Sequence, residues 1–183
     1  MKKLFIYSFL LVVGISFLSG CNDAGPLVIL VRHAEKVDQS VDPELSKEGE
    51  KRAAQLASTL RDIDVSHLFC THLKRTQQTL APLEKAFAKK CQVLDAKDVV
   101  GLAEELRKLD AKDIAVVAGH SNTLGLIAVS LGASEKELFY VDHDDYDGLF
   151  FLETTRKGIS RFTKLHVGPR NPTTTTTTTT NAP

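Results

Sequence analysis

The 183-residue chain has no surplus charge of either sign, since 23 Lys and Arg balance 23 Asp and Glu. With Lys2 and Lys3 set apart at the N-terminus, 21 basic residues stand against 23 acidic ones. No basic stripe forms, which argues against a nucleic-acid partner. Cysteines number only three. Cys70 closes one expected strand and Cys91 opens the next, ends that lie on opposite edges of a parallel sheet. The pair therefore reads as two buried free thiols rather than a disulfide. There is no H-E-x-x-H or comparable metal motif, and no internal repeat. The stretch Gly119-His120-Ser121-Asn122-Thr123 lacks the glycine two places after serine that a nucleophile elbow needs. The one long apolar run, Leu4 to Leu18, is too short and wrongly flanked for a comfortable membrane span.

That run reads instead as a removable leader, residues 1–20. Lys2 and Lys3 precede it, and it closes in Leu18-Ser19-Gly20-Cys21, which resembles the bacterial lipobox. The resemblance implies cleavage before Cys21 and lipid on that cysteine, hence an anchor in the cell envelope. Asn22 rather than aspartate at the next position implies the outer membrane, facing the periplasm. Residues 21–26 are then a linker, 27–167 one domain of ordinary core size, and 168–183, with eight consecutive threonines, a disordered tail.

Within the domain, strand and helix patterns alternate. Leu27–Val31 is a continuous apolar run, as in a strand covered on both faces. Ser46 can cap a helix whose apolar side is Gly49, Ala53, Leu56, Ala57 and Leu60. Val65–Cys70, Cys91–Leu94 and Ile114–Ala118 read as further strands, followed by helices beginning near Arg75, Val99 and Ser121, the last capped by that serine and ended by Gly132. Gly148–Glu153 and Ser160–His166 are joined closely enough to be antiparallel. The expectation is an α/β fold, a three-layer α/β/α sandwich with a mostly parallel sheet and antiparallel final strands.

Three of the parallel strands lead into side chains suited to a phosphoryl group: Arg32-His33, Arg75 and His120. Ligands of open α/β sheets bind beyond the carboxyl ends of the strands, so these four groups are expected to converge. Guanidinium forks match phosphate oxygens, and an imidazole hemmed in by positive charge stays neutral and nucleophilic. Two such arginines can do the charge stabilisation that a metal ion otherwise supplies, so neither metal nor cofactor is expected.

The same residues carry a family resemblance. Arg32-His33-Ala34-Glu35 resembles the opening motif of the histidine phosphatase superfamily, which includes phosphoglycerate mutase-like proteins and small phosphohistidine phosphatases. Asp42-Pro43-Glu44-Leu45-Ser46, Cys70-Thr71-His72-Leu73-Lys74-Arg75-Thr76-Gln77-Gln78-Thr79 and Gly119-His120-Ser121 are similar to its later landmarks, in the family's order. The resemblance implies a phosphohistidine formed on His33 and then hydrolysed, with Arg32, Arg75 and His120 holding the phosphoryl oxygens. It thus implies a phosphatase acting on a phosphorylated small molecule, glycan or phosphoprotein.

The chain departs from the pattern in having His72 where the family has proline, and Ser121 where one branch has its acidic proton donor. Asp95, at a strand's carboxyl end, is the expected leaving-group acid, with the run Asp142–Asp147 as a second source. Asn122 is open between a phosphate ligand and a helix cap, and Glu35 between a substrate-side and an exposed role. The competing function is a phosphate-binding envelope lipoprotein that retains the pocket without turnover.

Overall fold

A computed structural model describes residues 23–134 and 139–167, with the backbone of 180–181. The leader, Cys21, and most of the threonine-rich tail lie outside the described residues. Strand β1 (Ala24–Arg32) sets the layers by simple alternation. Its Val28 and Leu30 pack on one face of the sheet, and Ile29 and Val31 on the other, all at most 3% exposed. A strand buried on both faces needs a helical layer on each side, and the chain supplies them in order.

Helices α1 (Lys47–Leu60) and α2 (Lys74–Phe87) cover the Ile29 and Val31 face through Leu56, Leu60, Leu80 and Leu83. Helices α3 (Val99–Arg107) and α4 (Leu124–Ser130) cover the other face through Leu102, Leu106, Leu124 and Ile127. Between the helices run β2 (His67–Thr71), β3 (Cys91–Leu94) and β4 (Ile114–Gly119), and the chain ends in β5 (Gly148–Thr155), β6 (Gly158–His166) and the two-residue β7 (Thr180–Asn181). The strand order is β3-β2-β4-β1-β5-β6-β7. Pairings β3–β2, β2–β4 and β4–β1 are parallel, whereas β5 and β6 add antiparallel to the β1 edge. No helix among the described residues is long and apolar enough to cross a membrane.

Two connections hold the site-bearing loops to this frame. Ser46 accepts the Gly49 amide at 3.2 Å, the expected cap of α1. At the start of α2, the Lys74 amide donates to Asp42 Oδ1 at 2.8 Å, so a carboxylate 32 residues away caps that helix. Helix α1 also approaches the segment after β1 so closely that a Cβ on Gly49 would clash with the Glu35 carbonyl oxygen.

Four sequence expectations need correction. Strand β1 begins at Ala24, inside the stretch read as linker, because a register shift between Ala24 and Leu27 lets Gly25-Pro26 continue the pairing with β5. Ser121 does not cap α4; that helix starts after Thr123, whose hydroxyl accepts the His120 amide at 3.1 Å and so belongs to a turn instead. Cys91 is half-buried, and its thiol hydrogen-bonds that of Cys70. Their separation was misjudged because Leu68 pairs with Cys91 and Cys70 with Val93, leaving the two cysteines only one diagonal step apart on the same face. Both thiols are free, as expected.

Replacing Gly49 by alanine tests the close approach of α1. Alanine normally favours a helix over glycine by about 1 kcal/mol. Here the clash with Glu35 should reverse that sign and lower stability by roughly 2 kcal/mol, measured by urea denaturation.

Candidate active site

Strands β2, β4 and β1 are consecutive neighbours, so the segments leaving their carboxyl ends meet at one edge of the sheet. Arg32 pairs with Gly119 at the last rung of β1–β4, and the His33 amide donates to the Gly119 carbonyl at 2.9 Å. That bond carries the strand pairing one residue further and places His33 beside His120. The two ring centroids are 5.4 Å apart, and the residues are 5% and 7% exposed. Arg75, second residue of α2, reaches the same place from the helix N-terminus, where its positive charge lowers the proton affinity of both rings.

The tautomer of His33 is set by its partner. Its Nδ1 lies 2.8 Å from the Ala34 carbonyl oxygen, which can only accept, so Nδ1 carries the hydrogen and Nε2 keeps a lone pair. Burial pushes its pKa down to about 3, opposed by the Ala34 bond and assisted by the charges of Arg32, His120 and Arg75. Burial, then Arg75, Arg32 and His72, bring His120 to about 4. Both rings are therefore neutral at physiological pH. A neutral imidazole with a free Nε2 is a nucleophile.

The surroundings fix these groups. Thr71 Oγ1 lies 3.2 Å from His120 Nε2, and Thr76 supports Thr71 at 2.8 Å. Thr79 accepts the Ala34 amide at 2.9 Å and donates to the Arg75 carbonyl at 2.6 Å, tying the segment after His33 to the first turn of α2. Arg32 Nη1 donates to the carbonyls of Asp142 and His143, both at 2.8 Å, and its guanidinium stacks 4.0 Å from the Tyr146 ring centre. The loop before β5 thus folds over the site, and Tyr146 comes to 6.1 Å from His33. Asp145, Asp147 and His166 have their ligating atoms within 4.8 Å of one another. Their atoms are already engaged: Lys164 holds Asp145 at 2.7 Å and His166 holds Asp147 at 2.9 Å, which braces the loop against β6.

Arg32 Nε, Arg75 Nε and His120 Nδ1 are buried without a hydrogen-bond partner, and among the described residues they are the side-chain atoms in that condition. Unsatisfied buried donors are costly and rare. Two such guanidinium donors, with the unpartnered His120 ring nitrogen beside a neutral imidazole, suit an anion with several oxygens.

The other expected residues stand further out. Glu35 takes a fork of hydrogen bonds from Arg52, with Nε at 2.8 and 2.9 Å from its two oxygens, so it braces α1 instead of facing substrate. Asn122 is exposed on the turn after His120. Asp95 lies just beyond β3, with Oδ1 accepting the Lys97 amide at 2.8 Å and Oδ2 4.0 Å from His72 Nδ1. Sequence reasoning gave no role to Thr71, Thr79 or Tyr146. The threonines sit within the Cys70–Thr79 motif, but Tyr146 had no signal because it meets Arg32 across more than a hundred residues.

Guanidinium donors beside a neutral imidazole are chemistry suited to a phosphoryl group. Residues 28–98 match the family described as the histidine phosphatase superfamily (branch 1). The fold agrees with solved structures at low identity. One is from Escherichia coli K-12 with an ascribed alpha-ribazole-5'-P phosphatase activity (TM-score 0.61, 15% identity, covering 80% of this chain and 97% of that one). A second is the protein histidine phosphatase SixA complexed with tungstate (0.60, 15%, 76% and 96%). A third is phosphoserine phosphatase from Entamoeba histolytica in complex with 3-phosphoglyceric acid (0.55, 15%, 75% and 96%). No curated protein matches the chain in sequence. The stretch from within β1 to the cap of α3 is thus similar to the histidine phosphatase superfamily.

The depressed histidines make stability depend on pH. Between pH 6.5 and about 4, then about 3, the unfolded chain binds protons at His120 and His33 that the native chain does not. Stability contributed above pH 6.5 should therefore fall as pH drops through that window. Urea midpoints of the wild type should decline across it, and those of His33→Gln and His120→Gln should decline less.

Proposed function

We propose that this chain is a metal-independent phosphatase of the cell envelope, hydrolysing phosphomonoesters or phosphohistidine through a phosphohistidine on His33. The observation that carries the reading is the pair of unpartnered buried guanidinium donors, Arg32 Nε and Arg75 Nε, together with the unpartnered His120 Nδ1, beside a histidine whose Nε2 is free. His33 Nε2 attacks phosphorus. The guanidiniums and His120 take up the charge developing on the non-bridging oxygens, and water then releases phosphate from the ring. The two arginines supply the positive charge that a metal ion supplies in other phosphoryl-transfer sites. Solved structures of the same fold bear the names of phosphohistidine and phosphoserine phosphatases, which supports a phosphorylated substrate.

The envelope location rests on Lys2, Lys3, the apolar run to Leu18 and the lipobox-like Leu18-Ser19-Gly20-Cys21. With lipid on Cys21, β1 would run away from the anchor. Its nine residues, at about 3.3 Å each, would set His33 roughly 30 Å along the strand from the tether. Such a site serves soluble or projecting phosphates better than headgroups of its own leaflet.

His33→Ala should abolish hydrolysis of 4-nitrophenyl phosphate, a loss of more than about 10³-fold in kcat, with an unchanged thermal melt. Vanadate should inhibit the wild type and a chelator should not. Phosphate binding with no turnover by the wild type would favour the binding-protein alternative.

Cys21→Ser should remove incorporation of labelled palmitate and release the chain from the membrane fraction. Continued labelling would contradict the anchor.

A further inference from the structure

If the chain is the phosphatase proposed above, on which the assignment of this residue rests, its leaving group needs a proton. The neighbourhood of His120 supplies a donor that the usual family pattern does not. The parallel register pairs Thr71 with Leu94 and Cys70 with Ala118. Carried past the strand ends, the same register sets His72 between Asp95 on one side and His120 on the other. Two contacts hold its backbone there, and its chain neighbour touches His120. The His72 amide donates to the Leu94 carbonyl at 3.0 Å, Gln77 Nε2 donates to the His72 carbonyl at 2.8 Å, and Thr71, the preceding residue, holds His120. The His72 charge is among those that depress His120, so the two rings are electrostatic neighbours. The His72 side chain is 54% exposed and so open to solvent and to a substrate's leaving group.

Asp95 faces Nδ1 of this ring at 4.0 Å, and its other oxygen accepts the Lys97 amide. At that separation the carboxylate can orient the ring by charge and not by a direct hydrogen bond. Histidine gives and takes protons near neutral pH, which a two-step transfer requires of one group.

We propose that His72 is the general acid and base of the reaction, with Asp95 as its positioning residue. In the first step His33 Nε2 forms the P–N bond and the P–O bond to the leaving group breaks. The electron pair goes to that oxygen, which takes the Nε2 proton of the His72 imidazolium and departs as an alcohol. In the second step neutral His72 removes a proton from water as its oxygen attacks phosphorus. The P–N pair returns to His33, and phosphate leaves.

The test compares two leaving groups in the full-length chain. 4-Nitrophenolate departs without a proton, whereas the alkoxide of glycerol 3-phosphate does not. His72→Gln should lower the ratio of kcat/KM for the alkyl ester to that for the aryl ester by about 100-fold. It should also slow hydrolysis of the intermediate, so that phosphohistidine accumulates in a burst with the aryl ester. Asp95→Asn should move the same ratio in the same direction, by less. If wild type forms phosphohistidine but His72→Gln leaves the ratio unchanged, the assignment of His72 is overturned alone. If wild type forms none with either ester, the phosphatase reading falls and this assignment falls with it.

Discussion

Two imidazoles are buried between two guanidiniums, and the arrangement is tolerable only while both rings are neutral. An added positive charge there would have little solvent to screen it, and the acids nearby, Asp42 at 4.0 Å from Arg75 and Asp145 near Arg32, already face the guanidiniums. This constraint sets much of what surrounds the site. The Ala34 carbonyl selects the Nδ1–H form of His33. Loop carbonyls and the face of Tyr146 hold Arg32 without neutralising it, leaving its charge available to an anion. A tightly bound carboxylate would have competed with phosphate for the same fork.

The sheet turns that constraint into geometry. Neighbouring strands β2, β4 and β1 end at one level, and the backbone bond from His33 to Gly119 extends the ladder by one residue so that the rings meet. The threonines of the β2–α2 corner then work as small, rigid spacers. Thr71 and Thr76 position His120, while Thr79 couples Ala34 to Arg75. Preorganisation of this kind matters because phosphoryl transfer depends on where charge is placed more than on covalent chemistry by the protein.

The fold was legible in the sequence because its signals are local. Continuous apolar strands, a serine cap at α1 and the glycine that ends α4 appear where the pattern puts them. Arg32, His33, Arg75 and His120 come together for a related reason: they stand at or after the carboxyl ends of neighbouring parallel strands, which share an edge. The errors came from tertiary choices. Ser121 has a capping side chain, but the turn after His120 moves the helix start to Leu124. Glu35, open between two roles in the sequence, is taken by Arg52 on the next helix through both its oxygens. The cysteine pair was judged by strand ends when register decided it, and Tyr146 meets Arg32 through a loop whose path no short-range pattern encodes.

The protonation state of His33 tests the account most directly. Nitrogen-15 NMR of histidine-labelled full-length protein, tracked from pH 8 to pH 5, reports tautomer and charge at each ring nitrogen. A neutral ring protonated on Nδ1, with no titration over that range, is the predicted result. A His33 that carries its proton on Nε2, or gains a second one near pH 6.5, would contradict it.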